Sequence, residues 1–199
     1  GKGIYQADDC LLLHTRLAVI DVAGGGQPMH LRRGKKTYTI VYNGELYNTE
    51  EIRKELLKLG HCFLGHSDTE VVLHSYAQWG ENCVKKFNGI FAFAVYECHS
   101  KRLFLCRDRI GVKPLFYCHK GDELAFGSEI KSVLKTGLAT TEVDEQGLYE
   151  IFFLGPARTS GLGVFKDIKE LKPGEYAFFQ NGSLYKNQYF KIKNGFYFN

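Results

Sequence analysis

Apolar and polar positions along the chain predict mostly strands. Runs rich in β-branched and aromatic residues favour the extended conformation, because such side chains pack well on a pleated surface. The predicted strands are 11–20, 36–42, 91–96, 103–106, 115–118, 124–126, 176–179 and 184–190. Asn181-Gly182 separates the last two runs and gives the strongest hairpin signal in the chain.

Helical periodicity appears in four segments, 50–59, 67–79, 129–135 and 144–154. Ser67 stands three residues before Glu70, which is the spacing of a capping box, and Gly80 is expected to end that helix. Asp144 is predicted to cap the last of the four. Strands with helices inserted between them are typical of sheets covered by helices.

Composition narrows the functional classes. The 199 residues are 44% hydrophobic, enough for one domain with a substantial core, and the net charge of +4 comes from interspersed signs. We therefore expect no nucleic-acid partner, and no apolar run is long enough to predict a membrane span. The scattered cysteines form no C-x-x-C pair, which favours free thiols in a reducing cytoplasm and no metal site. They are Cys10, Cys62, Cys83, Cys98, Cys106 and Cys118.

Asn43-Gly44 follows the predicted strand 36–42 and has two interpretations. The pair is typical of a tight turn at a strand end. It can also place a side-chain amide beside an unobstructed backbone N–H, and two such donors form an oxyanion hole for acyl transfer. The neighbouring Glu45 is either a solvated acid at a helix entry or a second polar wall of such a site.

Two charged residues leave similar alternatives open. Arg16 lies inside an apolar run, so it is either paired with a carboxylate such as Asp21 or clamps a substrate carboxylate in bidentate fashion. Asp68 is either a first-turn acid favoured by the helix dipole or the partner of a substrate ammonium group. Together with Asn43-Gly44, these groups would recognise an amino acid that carries an acyl or amide side chain.

Ordered motifs along nearly the whole chain resemble the glutamine amidotransferase domain of glutamine-hydrolysing asparagine synthetases. β-Lactam synthetases are a neighbouring family that these motifs do not exclude. The matching segments are 14–21, 25–29, 42–48, 67–70, 91–94, 107–117, 128–131 and 165–174.

The resemblance implies an α+β fold of the N-terminal-nucleophile hydrolase type. This fold is a four-layer αββα sandwich of mostly antiparallel sheets, here expected to be incomplete at the N-terminus. The implied domain is 1–190, with 191–199 opening a linker to a synthetase domain. That absent domain would use ATP and magnesium, and no cofactor is expected in this chain.

The resemblance also implies L-glutamine as substrate and assigns roles to individual residues. Asn43 and Gly44 would form the oxyanion hole, whereas Glu45 and Asp68 would hold the amino group and the polar end of the pocket. Arg16 would bind the α-carboxylate. Backbone of the next four residues would line the site, namely Leu17, Ala18, Val19 and Ile20.

The family's mechanism uses an N-terminal cysteine as nucleophile and its α-amine as base, whereas this chain starts with Gly1. We therefore expect no meaningful glutaminase activity from the polypeptide as written. Cys10 is a poor substitute because no α-amine accompanies it. An alternative function is a nucleophile-less module that binds glutamine or a protein partner. Exposed edges and apolar surface also predict possible self-association.

Overall fold

The computed structural model describes residues 1–15, 25–155 and 159–192. The strands are β1 (Lys2–Ala7), β2 (Cys10–Thr15), β3 (Met29–Arg33), β4 (Lys36–Leu46), β5 (Gly89–Glu97), β6 (Arg102–Arg107), β7 (Phe116–Lys120), β8 (Glu123–Gly127), β9 (Lys169–Glu170), β10 (Glu175–Gln180) and β11 (Ser183–Gln188). The α-helices are α1 (Thr49–Lys58), α2 (Asp68–Trp79), α3 (Cys83–Lys86), α4 (Ile130–Leu134) and α5 (Glu145–Tyr149). A 3₁₀ turn occupies Gly80–Asn82, and a π-helical turn, Glu150–Leu154, continues α5.

The largest sheet has six strands in the order β11-β10-β6-β5-β4-β3, and every neighbouring pair is antiparallel. β4 and β5 lie at its centre and pair from Tyr38↔Glu97 to Leu46↔Gly89. Both are apolar on both faces along much of their length, as expected for central strands buried on two sides.

Helices α1, α2 and α3 cover one face of this sheet. Ile52 and Leu56 of α1 and Val71, Val72 and Leu73 of α2 are buried against alternate residues of the strands. The sheet residues in this layer include Tyr38, Ile40, Tyr42, Phe91, Phe93, Val95, Phe104 and Cys106.

The opposite face packs on a second β layer made of the hairpin β1-β2 and the sheet β8-β7-β9. Leu12 and Leu115 from this layer are buried against Val41, Ala92 and Ala94 of the large sheet. Helix α4 then covers the outer side of β7 and β8, where Val133 packs with Phe116, Cys118 and Ala125. The layers thus run helix, sheet, sheet, helix, as predicted.

Most predicted elements are confirmed, and the differences have physical causes. Helix α2 begins and ends as predicted, with the Ser67 hydroxyl accepting the Glu70 N–H. The segment 144–154 is α5 followed by the π-helical turn, and Asp144 caps it through the Gly147 N–H. Strand 11–20 is confirmed only as far as Thr15, because residues 16–24 lie outside the described residues. Strands β1, β3 and β9 were not predicted.

The motif 107–117 has an architectural role. Buried Asp108 accepts five backbone N–H groups, which ties the loop after β6 to β5. Arg107 is also buried, pairs with Glu170 at 3.1 Å and donates to the Leu171 carbonyl at 2.7 Å. The N–H groups that Asp108 accepts belong to Phe91, Ile110, Gly111, Val112 and Lys113.

Candidate functional site

Strand β4 continues through Asn43-Gly44 to Leu46, so the predicted strand end at Tyr42 and the turn interpretation are wrong. Asn43 lies opposite Ala92 and Gly44 opposite Phe91. Asn and Gly are poor strand formers on their own. Here β5 supplies ladder partners as far as Gly89, and this tertiary pairing overrides the local preference.

The outer edge of β4 beyond β3 carries the candidate oxyanion donor. In an antiparallel ladder the N–H and C=O of one residue point to the same side, and the side alternates along the strand. β3 stops at Met29, opposite Ile40. Further along that edge, the Tyr42 N–H donates to Gln27 Oε1 at 2.6 Å and the Leu46 N–H to Asp68 Oδ2 at 3.2 Å. The Gly44 N–H, midway between them, therefore faces the same edge.

Gly44 is a position that no side chain can occupy without moving the neighbouring strand. A Cβ atom there would lie 2.3 Å from the Ile90 carbonyl oxygen and 2.7 Å from the Phe91 Cα atom. The Phe91 N–H and C=O bond to Asp108, on the far side from β4, so Gly44 and Phe91 form the closer, non-hydrogen-bonded kind of pair. The missing side chain lets β5 approach and keeps the N–H accessible.

Asp68, at the first position of α2, is tied to the same stretch of β4. Its Oδ2 atom accepts the Tyr42 hydroxyl at 2.9 Å as well as the Leu46 N–H, and its Oδ1 atom accepts the Thr69 N–H at 2.8 Å. A carboxylate has about four acceptor positions, so capacity for a ligand cation remains. Burial and the Asp68 charge both raise the pKa of Tyr42, which keeps the phenol a hydrogen-bond donor.

Asn43 and Glu45 direct their side chains to the other face of β4, which fronts the second β layer. This follows because side chains alternate along a strand, and Tyr42 packs on the helix side. The Asn43 Nδ2 atom donates to Ser128 Oγ at 3.5 Å, a long and weak contact, and Glu45 is exposed. The structure thus joins Gly44 and Asp68 along one edge, with the Asn43 amide adjacent.

The remaining predicted substrate contacts fall on residues 16–20, outside the described residues. The roles assigned to Arg16, Leu17, Ala18, Val19 and Ile20 stay predictions. So does the pairing of Arg16 with Asp21, which lies in the same segment.

The loop that precedes Asp68 is held by Arg53, which sequence reasoning missed, and by Glu70, which the sequence predicted only as part of a capping box. Arg53 of α1 donates to the carbonyl oxygens of Gly65 at 2.9 Å and Ser67 at 3.5 Å. Glu70 accepts the N–H groups of Leu64 at 2.7 Å and Gly65 at 2.9 Å. These contacts fix the start of α2, and hence Asp68. In the sequence Arg53 reads only as a charge on an amphipathic helix.

Cys10 is not built as a nucleophile. It lies on β2, partly buried against the layer between the sheets, and burial raises the pKa of its thiol to about 12. The reactive form of cysteine is the thiolate, which such a pKa disfavours.

The described residues hold neither a group of metal ligands nor a membrane-spanning helix. No group of three or more His, Cys, Asp or Glu side chains among them lies close enough together to hold a metal ion. None of the helices in the described ranges is both long and apolar enough to cross a membrane.

Solved structures share this architecture. The chain aligns with the allosteric regulatory enzyme of purine biosynthesis at a TM-score of 0.64 and 19% identity, over 86% of this chain and 32% of that one. The glutamine phosphoribosylpyrophosphate amidotransferase of B. subtilis gives 0.57 and 19%, over 82% and 31%. At such identity the likeness shows the fold alone, which is the layered arrangement of helices and antiparallel sheets described above.

Curated relatives are closer in sequence. Asparagine synthetase [glutamine-hydrolyzing] 3 of Bacillus subtilis (strain 168) is 52% identical over 193 residues, 97% of this chain and 31% of the relative. A probable asparagine synthetase [glutamine-hydrolyzing] of Dictyostelium discoideum is 41% identical over 134 residues, 66% of this chain and 24% of the relative. The chain thus spans about a third or less of their length. The family model described as a glutamine amidotransferase domain matches residues 1–190, and the chain belongs to that family.

Proposed function

We propose that this chain is the glutaminase domain of an asparagine synthetase. In the whole protein it would hydrolyse L-glutamine to glutamate and ammonia, and the ammonia would amidate aspartate in an ATP-dependent reaction. The family membership and the 52% identity to a relative named as a glutamine-hydrolysing asparagine synthetase support this proposal. Hydrolysis and ammonia use are proposed for the whole protein, because the chain spans only 31% of that relative.

The observation that carries the proposal is the edge of β4. The Gly44 N–H lies on this edge. The next N–H on the same side, that of Leu46, donates to the Asp68 carboxylate. A substrate with a carbonyl at one end and an ammonium at the other matches this sequence of donor and acceptor. L-Glutamine has both groups, and its amide carbonyl would lie at Gly44.

Each residue then has a chemical role. The Gly44 N–H and the Asn43 amide would donate to the amide oxygen as it gains negative charge, and such donors act most strongly where water is excluded. Asn43 would exchange its weak 3.5 Å contact with Ser128 for that oxygen. Asp68 would pair with the ammonium group, Arg16 would clamp the α-carboxylate, and Glu45 would bound the polar end.

Calorimetric titration of the folded chain with L-glutamine tests the recognition half of this proposal. We expect saturable binding that Asp68→Asn and Arg16→Ala each weaken at least about tenfold, equivalent to about 1.4 kcal/mol. Asp8→Asn and Arg32→Ala remove like charges from exposed positions and serve as matched controls. L-Asparagine, one methylene shorter, should bind more weakly than L-glutamine.

The outcome that contradicts the proposal is equally specific. A folded chain that shows no saturable binding of L-glutamine, or one whose binding is unchanged in both charge variants, does not recognise the amino acid through these groups. Equal binding of L-asparagine would contradict the assigned spacing between the carbonyl and ammonium positions.

A further inference from the structure

Gln27 uses its whole side-chain amide to join two elements of the candidate site. Its Oε1 atom accepts the Tyr42 N–H at 2.6 Å, and its Nε2 atom donates to the Tyr42 carbonyl oxygen at 3.0 Å. The second Nε2 hydrogen is directed to Thr69 Oγ1 at 3.3 Å. One acceptor bond and two donor bonds are thus made by a residue in a loop.

The contact with Tyr42 reproduces a rung of the sheet. Continuing the β3-β4 register beyond Met29↔Ile40 would put residue 27 opposite Tyr42. The side chain of Gln27 meets both backbone groups of Tyr42 there, as a strand residue does in a hydrogen-bonded pair. The edge of β4 is therefore held up to the residue two positions before Gly44.

The contact with Thr69 reaches the other half of the site. Thr69 follows Asp68 in the first turn of α2, and its hydroxyl is buried. The Gln27 amide thus connects the strand beside Gly44 to the helix turn that holds Asp68, with two hydrogen bonds to Tyr42 and one to Thr69. Gly3 of β1 leaves room for the loop, since a Cβ atom there would clash with the Gln27 carbonyl oxygen.

We propose that Gln27 is a positioning residue that sets the separation between the carbonyl-binding edge at Gly44 and the ammonium-binding carboxylate of Asp68. The proposal rests on the glutaminase function proposed above. Gln27 acts through Tyr42 and Thr69, and it thereby fits the site to a side chain of glutamine's length.

The first test needs no ligand. Gln27→Met keeps the length of the side chain but removes its polar atoms. Gln180→Met is the matched control, because the Gln180 side-chain amide donates to the Ser100 carbonyl, away from the candidate site. Amide hydrogen exchange followed by NMR should show Tyr42 losing at least tenfold protection in Gln27→Met. Val41 and Asn43 should keep theirs, because their N–H groups point to β5. The amide resonances of Gly44 and Asp68 should shift in this variant alone.

The second test measures glutamine binding in a double-mutant cycle. Gln27→Met should weaken the binding of L-glutamine at least about fivefold and reduce the ratio of the affinities for L-glutamine and L-asparagine. In the Asp68→Asn background the same change should have less than a twofold effect, because there is no carboxylate left to position. If Gln27 only stabilised the fold, Gln27→Met would lower the melting temperature and would change glutamine binding by the same factor in both backgrounds.

The outcomes separate the two proposals. Unchanged Tyr42 exchange and unshifted Gly44 and Asp68 resonances would overturn the role of Gln27, whether or not glutamine binds. Lost Tyr42 protection with an unaltered glutamine-to-asparagine preference would also overturn it. A wild-type chain that does not bind glutamine would contradict the proposed function, and the ligand-free exchange and shift data would then decide whether Gln27 holds the two elements in place.

Discussion

Single residues in β4 carry more of the site than their chemical character suggests. Gly44 contributes no side chain, yet its close approach to Ile90 and Phe91 fixes where the backbone N–H lies. Tyr42 donates its hydroxyl to Asp68 and uses both its N–H and its carbonyl to bond to Gln27. The Asn-Gly pair was predicted incorrectly as a strand end, because its ladder partners, Ala92 and Phe91, lie 49 and 47 residues further along the chain. Its role in a binding site stays a prediction.

Gly44→Ala is expected to destabilise the fold by on the order of 1–3 kcal/mol, since the added methyl must displace backbone atoms of β5. Chemical denaturation measures the change. Gly26→Ala is the matched control, because a Cβ atom there meets nothing within 4 Å, and its effect should stay below about 0.5 kcal/mol. Equal stability of the two variants would show that β5 does not confine Gly44.

At the scale of elements, helices whose ends are marked locally were predicted best. Ser67 and Gly80 bound α2 through capping chemistry that a short sequence window contains. β1 was missed because its alternation is inverted, with Ile4 71% exposed and Gly3, Tyr5 and Ala7 turned inward. Gln27 was missed as a site residue because its three bonds reach residues 42 and 69, which a local pattern cannot relate.

Helix α2 is also joined to α1 by a pair of buried histidines. His61, after α1, and His74 of α2 approach through their Nδ1 atoms at 2.8 Å, beside Arg33. Burial, reinforced by the Arg33 charge, lowers the pKa of both imidazoles to about 4. Both rings are therefore neutral in the folded chain at pH 7.

This pair predicts a pH dependence of stability. An unfolded histidine takes up its proton near pH 6.5, whereas these two do so near pH 4 only. The two histidines contribute on the order of 1–3 kcal/mol to the free energy of unfolding above pH 6.5, and this contribution is lost as the pH falls to 4. Urea denaturation across this range should show a flatter profile for His61→Gln/His74→Gln. Exposed His66→Gln should follow the wild type, and parallel curves for the double variant would contradict the assignment.

For the whole molecule, the four layers follow from the sequence pattern together with the family resemblance. Apolar runs at 91–96 and 103–106 indicate buried central strands, and amphipathic helices indicate cover. The pattern does not predict which large apolar side chains stay exposed. The outer face of α5 and its π-helical turn exposes large apolar side chains, with Phe152 and Phe153 each 75% exposed. The hairpin β1-β2 likewise exposes Ile4, Leu11 and Leu13.

These surfaces predict concentration-dependent self-association of the chain, because contiguous apolar patches of this kind favour contact with another molecule. Sedimentation velocity should show species larger than the monomer as concentration rises. Phe152→Ser/Phe153→Ser should reduce them. Leu57→Ser removes an exposed leucine of α1, outside these two surfaces, and should leave the larger species unchanged. A wild-type chain that stays monomeric throughout would contradict the prediction.

The early end of β3 has a consequence for how regular this sheet can become. If the strand ran on in the same register, Gly25 would face Gly44, and a backbone carbonyl would compete with the proposed substrate for the Gly44 N–H. A more complete ladder would stabilise the sheet but would leave the Gly44 N–H unavailable to a ligand. Strand-favouring substitutions at Gly25 and Gly26 are therefore expected to raise stability and to lower affinity for the proposed substrate, because the interrupted edge leaves room for a ligand.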